Sequence, residues 1–192
     1  MEHHRLHKLV DIATNAGASA AAFIKARQLV IDASLAQACT SCPHHGQGAG
    51  CPPHVEGPAA MRNWCLQAET ALAVRLDVPA ATLLSEERAE AMRLLHRLVV
   101  HVELTAIALN YPRSRGFAGG SCRHLFCREQ STCLRLTEQG TCRNPLQARS
   151  SMSGFGIDVA KMMESAGWQA TPLPQAGQER MSWLAGLVLV AR

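Results

Sequence analysis

Residues 119–159 read GGSCRHLFCREQSTCLRLTEQGTCRNPLQARSSMSGFGIDV and contain half of the eight cysteines of the chain. These four are Cys122, Cys127, Cys133 and Cys142. Four thiolates within 21 residues are enough ligands for one tetranuclear iron–sulfur cluster or one zinc ion. Their spacing is neither that of the bacterial ferredoxin run nor that of a zinc ribbon, so the pattern indicates metal binding and leaves the metal open.

A second cysteine segment lies upstream and reads CTSCPHHGQGAGCPPH over residues 39–54. Two residues between Cys39 and Cys42 allow both sulfurs to turn toward one centre. The prolines that follow Cys42 and Cys51 stiffen the backbone behind these ligands. Nearby histidines offer a fourth ligand: His44, His45 and His54. In the downstream segment, His124 could replace one thiolate.

The 192 residues and their 47% hydrophobic content suit one globular domain. No apolar run approaches the roughly 20 residues that span a bilayer, and the N-terminus lacks the apolar core of an export signal. We therefore expect a cytoplasmic protein. In that reducing compartment, eight cysteines indicate metal ligation or redox chemistry before structural disulfides.

Positive charge is concentrated beside the downstream cysteines. Residues 113–149 carry seven arginines against two acidic residues, a net +5, whereas the rest of the chain sums to −1. An arginine-rich surface of this kind predicts docking of an acidic redox partner protein. The low aromatic content, 4%, and the shortness of the basic stretch argue against nucleic acid as the partner.

Apolar periodicity predicts alternating helices and strands. Helices are expected at 4–16, 33–38, 58–70, 85–110 and 156–166, and strands at 20–25, 71–76, 113–118, 168–171 and 182–190. This alternation predicts an α/β (or α+β) fold, in which one compact domain over residues 1–192 has a mixed sheet, flanking helices and cysteine-rich metal-binding loops (39–54 and 119–149) at one edge. Cys65 falls on an apolar helix face and is expected in the core, while His96 and His101 are expected to be ordinary helix residues.

The segments CTSCPHHGQGAGCPP, GGSC, CRNPLQARSSM, GFGIDV and GLVLV, in that order, resemble a family of predicted metal-binding proteins of unknown function. Its members show C-x2-C-P followed by CPP, a GG-x-C-x2-C-x2-C segment, and CR-x-P-x2-ARPSM followed by GIDV. In this chain Ser150 replaces the proline of ARPSM, and the cysteine triplet is stretched. The resemblance implies metal or iron–sulfur binding by Cys39, Cys42, Cys51, Cys122, Cys127, Cys133 and Cys142.

Three functions fit these observations. The first is an iron–sulfur protein of electron transfer or redox chemistry, with one or two [4Fe–4S] clusters. The second is a zinc-stabilised interaction module, and the third is a metal carrier or sensor. A cluster held only by Cys39, Cys42 and Cys51 would leave one iron open to an exogenous ligand, so the sequence leaves the question of an enzyme open.

Overall fold

The fold is organised by a mixed β-sheet, seen in a computed structural model that describes residues 2–137, 140–169 and 181–192. Its strands within these ranges are β1 (Ala20–Ile24), β2 (Thr70–Pro79), β3 (Arg115–Ala118), β4 (Ser150–Ser151) and β5 (Met181–Val190). Their spatial order is β1-β2-β5-β3-β4, and only the β3–β4 pair is parallel. The β2–β5 ladder forms the centre, running from Thr70 opposite Val190 to Pro79 opposite Met181.

Helices cover both faces of this sheet. Within the described ranges they are α1 (Glu2–Asn15), α2 (Ala33–Gln37), α3 (Gly57–Gln67), α4 (Ala80–Leu83), α5 (Arg88–Ala108), α6 (Cys122–Phe126) and α7 (Val159–Ser165). On α2, the side chain of Asp32 accepts a hydrogen bond from Ser34 N at 2.8 Å and caps the helix. None of the described helices is long and apolar enough to cross a membrane.

The core is divided between the two faces because successive strand residues point to opposite sides. On one face, Leu72 and Val74 of β2 pack with residues of α1 and α5, including Leu9 and Leu95. On the other face, Ala71 and Ala73 are small and leave room for larger side chains from α3, α7 and the 152–157 segment. This second cluster includes Met61, Cys65, Phe117, Phe155 and Met163. Burial of β5 on both faces explains its nearly continuous apolar sequence.

This arrangement confirms the predicted α/β fold. The predicted strands at 20–25, 71–76, 113–118 and 182–190 correspond to β1, β2, β3 and β5, and the main helix extends over Arg88–Ala108. Cys65 is 4% exposed and lies in the core, as predicted.

One predicted helix begins later than expected, and one predicted strand is not formed where its residues are described. The helix expected from Gly156 begins at Val159, because Gly156 has a positive φ of 70° and Asp158 caps the helix by accepting from Lys161 N at 3.0 Å. The strand expected at 168–171 is not formed at Trp168, whose N–H instead donates to Met163 O at 2.9 Å and closes the end of α7. Residues 170 and 171 lie outside the described ranges.

Candidate metal centre

The two cysteine segments pack against each other although about 70 residues separate them in the chain. Ser151, on the edge strand β4, donates its N–H to Gly50 O at 3.0 Å. A Cβ atom at Gly50 would lie 2.9 Å from Cys122 Sγ, a distance that real Cβ contacts essentially never show. Glycine at position 50 therefore permits the upstream loop to reach Cys122.

Cys122 is affected by thiols of both segments. Burial is the largest cause of the rise in the pKa of Cys122 to about 12, and the thiolates of Cys51, Cys142, Cys133 and Cys127 contribute to the same shift. These four cysteines are therefore within electrostatic range of Cys122, whereas the side chains in the described ranges form no set of three that could hold a metal ion as it stands.

Two sulfurs of the downstream segment accept hydrogen bonds from one residue, Asn144. Its backbone N–H donates to Cys142 Sγ at 3.3 Å, and its side-chain Nδ2 donates to Cys127 Sγ at 3.2 Å. The same Nδ2 also contacts Phe126 O at 3.4 Å. Donors of this kind orient metal ligands and stabilise negative charge on sulfur. Asn144 thus connects two cysteines from separate turns of the chain.

Arginines of the downstream segment hold its backbone. Arg123 donates to Cys127 O at 2.9 Å and also to two carbonyls of the next turn, Gln130 O at 2.8 Å and Ser131 O at 3.0 Å. Arg143 donates to Thr132 O at 2.8 Å. These guanidinium groups order an irregular loop and keep positive charge beside its cysteines. By contrast, Arg128 and Arg135 are exposed.

Helix α5 holds both ends of the downstream segment. The ring of His96, which is fully buried, bonds through Nε2 to Gly119 O at 2.9 Å and accepts from Arg149 N through Nδ1 at 3.1 Å. The carboxylate of Glu103 pairs with the Arg149 guanidinium and accepts from Gly116 N at 3.0 Å. These contacts fix where the loop leaves the sheet and where it returns.

His96 is therefore neither a metal ligand candidate nor an exposed helix residue. Because Nδ1 accepts from a backbone N–H, the proton of the neutral ring is on Nε2, which donates to Gly119 O. Burial lowers the pKa of His96 to about 4. The sequence signal for its burial is its place on the apolar face with Met92, Leu95 and Val99, although nothing in the sequence identifies its partners.

The upstream cysteines face a cavity of about 840 Å³. Cys39, Cys42 and Cys51 all line it. Burial raises the pKa of Cys39, and the Cys42 thiolate adds to the shift. Burial likewise raises the pKa of Cys51, while a neighbouring hydroxyl, that of Ser121, acts in the opposite direction. Cys122 is not part of the cavity wall, so of these two cysteines only Cys51 faces this space.

The predicted histidine candidates separate into two kinds. His44 and His45 line the cavity, whereas His54 lies outside it and contacts Gly46 O through Nε2 at 3.1 Å. His124 also lines the cavity, and its ring stacks on that of His44 with centroids 4.5 Å apart. The structure thus brings His124 to the upstream group, although its position in the sequence suggested the downstream one.

The thiol chemistry fits a metal centre better than a nucleophile. A reactive cysteine needs a lowered pKa, whereas the shifts of Cys39, Cys51 and Cys122 are all upward. A bound metal would displace the protons and stabilise the thiolates. All eight cysteines are free. Across the ranges that the structure describes, no three His, Cys, Asp or Glu side chains lie close enough to hold a metal ion as they stand.

Fold and site together define a cysteine-rich α/β protein of the metal-binding class. Over residues 22–190 the chain matches the family described as "Predicted metal-binding protein (DUF2284)", and it belongs to that family. This membership confirms the resemblance inferred from the cysteine motifs. No curated protein and no solved structure matches the chain.

Proposed function

We propose that this protein is an iron–sulfur protein that acts in electron transfer or redox chemistry. Cys122, Cys127, Cys133 and Cys142 hold one [4Fe–4S] cluster in this proposal. Cys39, Cys42 and Cys51, which line the cavity, hold a second centre in this proposal. The cytoplasm, where thiols remain reduced, is the compartment in which such a protein would act.

The observation that carries the proposal is the pair of hydrogen bonds from Asn144 to Cys142 Sγ and Cys127 Sγ, beside the place where the upstream loop approaches Cys122 at Gly50. Iron–sulfur clusters are held by four cysteine thiolates, and hydrogen bonds to sulfur set their potential. In such a site, Asn144 would orient Cys127 and Cys142, and Arg123 and Arg143 would keep the loop and its positive charge in place. A cluster would supply the one-electron chemistry.

The proposal also includes an acidic redox partner protein, and the exposed arginines support it. Arg128 and Arg135 extend from the loop that carries the downstream cysteines. Surface charges of this kind steer an oppositely charged protein and fix its orientation. An acidic redox partner docked there would lie next to the cluster.

The deciding experiment is anaerobic purification followed by quantification of iron, sulfide and zinc and an absorption spectrum. We expect matched iron and sulfide and a broad absorption band near the boundary of the visible and ultraviolet. A colourless protein that retains zinc would contradict the proposal and favour the zinc-stabilised module. Iron without sulfide would favour a metal carrier.

A variant of Asn144 tests the ligand assignment separately. Asn144→Ala removes the hydrogen bond to Cys127 and should lower metal affinity by about 10- to 100-fold, the usual cost of losing such a partner. Asn63→Ala, on α3 and outside the two cysteine segments, is the matched control. Equal metal retention by the two variants, measured by chelator competition, would contradict the assignment of Cys127; the bond to Cys142 comes from the backbone and is kept in both.

A further inference from the structure

A small depression at the start of strand β3 contains two arginines. Its wall is formed by six residues: Trp64, Gln67, Arg113, Arg115, Leu189 and Ala191. Its volume is about 60 Å³, which leaves room for one small chemical group, since a water molecule takes up about 30 Å³ in the liquid. Among the described residues, no cysteine belongs to this wall, so the depression is separate from the candidate metal centre.

The guanidinium group of Arg115 is held in place by an aromatic ring. Its Cζ lies 4.3 Å from the centroid of the Trp64 indole, a cation–π contact. The indole in turn packs on two buried rings, with centroids 6.0 Å from that of Phe117 and 5.5 Å from that of Phe155. The contact uses the face of the guanidinium, so the N–H groups at its edge stay available. Arg115 is therefore oriented before any ligand arrives, which lowers the entropic cost of binding.

The positive charge in this depression is not neutralised by the residues around it. The side chains of Arg113 and Arg115 make no hydrogen bond or ion pair with any other residue that the structure describes. Within the same ranges, the wall contains no Asp or Glu. Glu69, which lies near Gln67 in the chain, already pairs with Arg192 Nε at 3.0 Å. Two uncompensated guanidinium groups that share one depression attract an anion.

The number of donors favours one kind of anion. A guanidinium fork can donate to two oxygens at once, and the amide of Gln67 adds a further donor. A carboxylate has two oxygens and a single charge, so one arginine is enough to bind it. A phosphate monoester has three terminal oxygens and a charge of about −1.5 to −2 at pH 7. The two forks therefore match a phosphate group better than a carboxylate.

We propose that Arg113, Arg115 and Gln67 form a binding site for a phosphate group, either free phosphate or the phosphate of an organic monoester. The two guanidinium groups and the amide donate hydrogen bonds to the phosphate oxygens, while Trp64 keeps Arg115 in position. The site does not depend on a bound metal, and it goes beyond the proposed iron–sulfur function.

The test uses the full chain in a phosphate-free buffer of low ionic strength. The protein is titrated by isothermal calorimetry with inorganic phosphate, with phenyl phosphate and with benzoate, which carries a carboxylate on the same ring. We expect saturable binding of phosphate and weaker binding of benzoate than of phenyl phosphate. Tighter binding of phenyl phosphate than of inorganic phosphate would identify the monoester as the ligand, and the reverse order would identify free phosphate. The absence of saturable binding by both phosphates, or benzoate binding as tightly as phenyl phosphate, would overturn the proposal.

Variants locate the site. Arg113→Gln and Arg115→Gln should each raise the Kd for phosphate about tenfold or more, because each removes hydrogen bonds to a charged group. Arg115→Lys keeps the charge but lacks the fork, and it should also weaken binding. The matched control is Arg135→Gln, which removes the same charge from an exposed arginine outside this wall and should titrate like the unmodified protein. Equal Kd values for Arg115→Gln and Arg135→Gln would overturn the assignment of the site.

A second measurement needs no substitution. The unmodified protein is treated with phenylglyoxal, which reacts with arginine side chains, in the presence and absence of phosphate, and the modified peptides are identified by mass spectrometry. Bound phosphate should slow the modification of Arg113 and Arg115 and leave that of Arg135 unchanged. Equal rates at Arg113 and Arg115 with and without phosphate would contradict the proposal.

Discussion

Replacement of Glu103 by alanine should be among the most destabilising single changes in this chain. The Glu103 side chain is 11% exposed, and that of its partner Arg149 is 17% exposed. Glu103 also accepts the N–H of Gly116 at 3.0 Å. Alanine would therefore leave a nearly buried guanidinium without its counter-charge and a buried N–H without its acceptor.

Removal of one partner from a buried ion pair costs about 3–5 kcal/mol, because the remaining charge stays desolvated. Domains of ordinary size have only about 5–15 kcal/mol of stability in total. With a urea m-value of about 2–3 kcal/mol/M, the midpoint of unfolding should fall by about 1–2.5 M. Glu103→Gln keeps an acceptor for the N–H of Gly116, so its urea midpoint should lie between those of Glu103→Ala and the unmodified protein.

The assay is urea unfolding under anaerobic, reducing conditions, followed by circular dichroism. The matched control is Glu90→Ala on the same helix, since Glu90 is 61% exposed and pairs with Arg93 at 2.9 Å on the surface. Surface pairs contribute at most about 1 kcal/mol. Similar midpoints for Glu103→Ala and Glu90→Ala would refute the reasoning that α5 holds the cysteine loop through a buried charge.

Three further outcomes are expected. Cys65→Ser should lower the free energy of unfolding by about 1–3 kcal/mol, because it places a hydroxyl among apolar core atoms, and it should leave the metal content unchanged. Cys142→Ser should release metal. Equal metal loss from both variants would contradict the division into core and ligand cysteines. Gly156→Ala should lower the melting temperature more than Gly167→Ala. Both glycines have a positive φ, 70° at Gly156 and 77° at Gly167, but only a Cβ at Gly156 would overlap a backbone carbonyl. Equal shifts in melting temperature would exclude that overlap. The pKa of His96 is about 4 in the folded protein and near 6.5 in the unfolded chain. Between pH 6.5 and pH 4 the unfolded chain therefore binds one more proton than the folded protein. The free energy of unfolding should fall by about 3 kcal/mol as the pH drops through this range. His96→Asn should reduce this slope, and an unchanged slope would assign it to other groups.

Periodicity was sufficient to predict the framework of the fold. The strand at 182–190 and the helix through Met92, Leu95 and Val99 follow directly from their apolar patterns, since both are decided by burial against the sheet. The same reasoning placed Cys65 correctly. Local patterns carry this information because each residue's burial depends on the face that it occupies.

The arrangement of the site could be predicted only in part. Cysteine and proline spacing, with the family resemblance, identified the residues as a metal-binding set. The approach of the upstream loop to Cys122 depends on a long-range contact at Gly50, and local sequence does not encode such contacts. His124 was assigned by its neighbours in the chain, whereas its ring stacks on His44 across the cavity. The arginines were interpreted as a docking surface, although Arg123 and Arg143 bond to carbonyls of their own loop.

The hydrogen bonds of the His96 imidazole to Gly119 O and Arg149 N fix both ends of the downstream segment, and this affects how its length can change. Once the two ends of a segment are fixed, its contour can lengthen at little thermodynamic expense, since even a doubling of loop length costs only about 0.6 kcal/mol. Extra residues between Cys122, Cys127 and Cys133, the intervals in which this chain is stretched, therefore lengthen only the tethered span and leave the sheet in place. We expect variants with insertions there to keep the fold as long as His96 is retained.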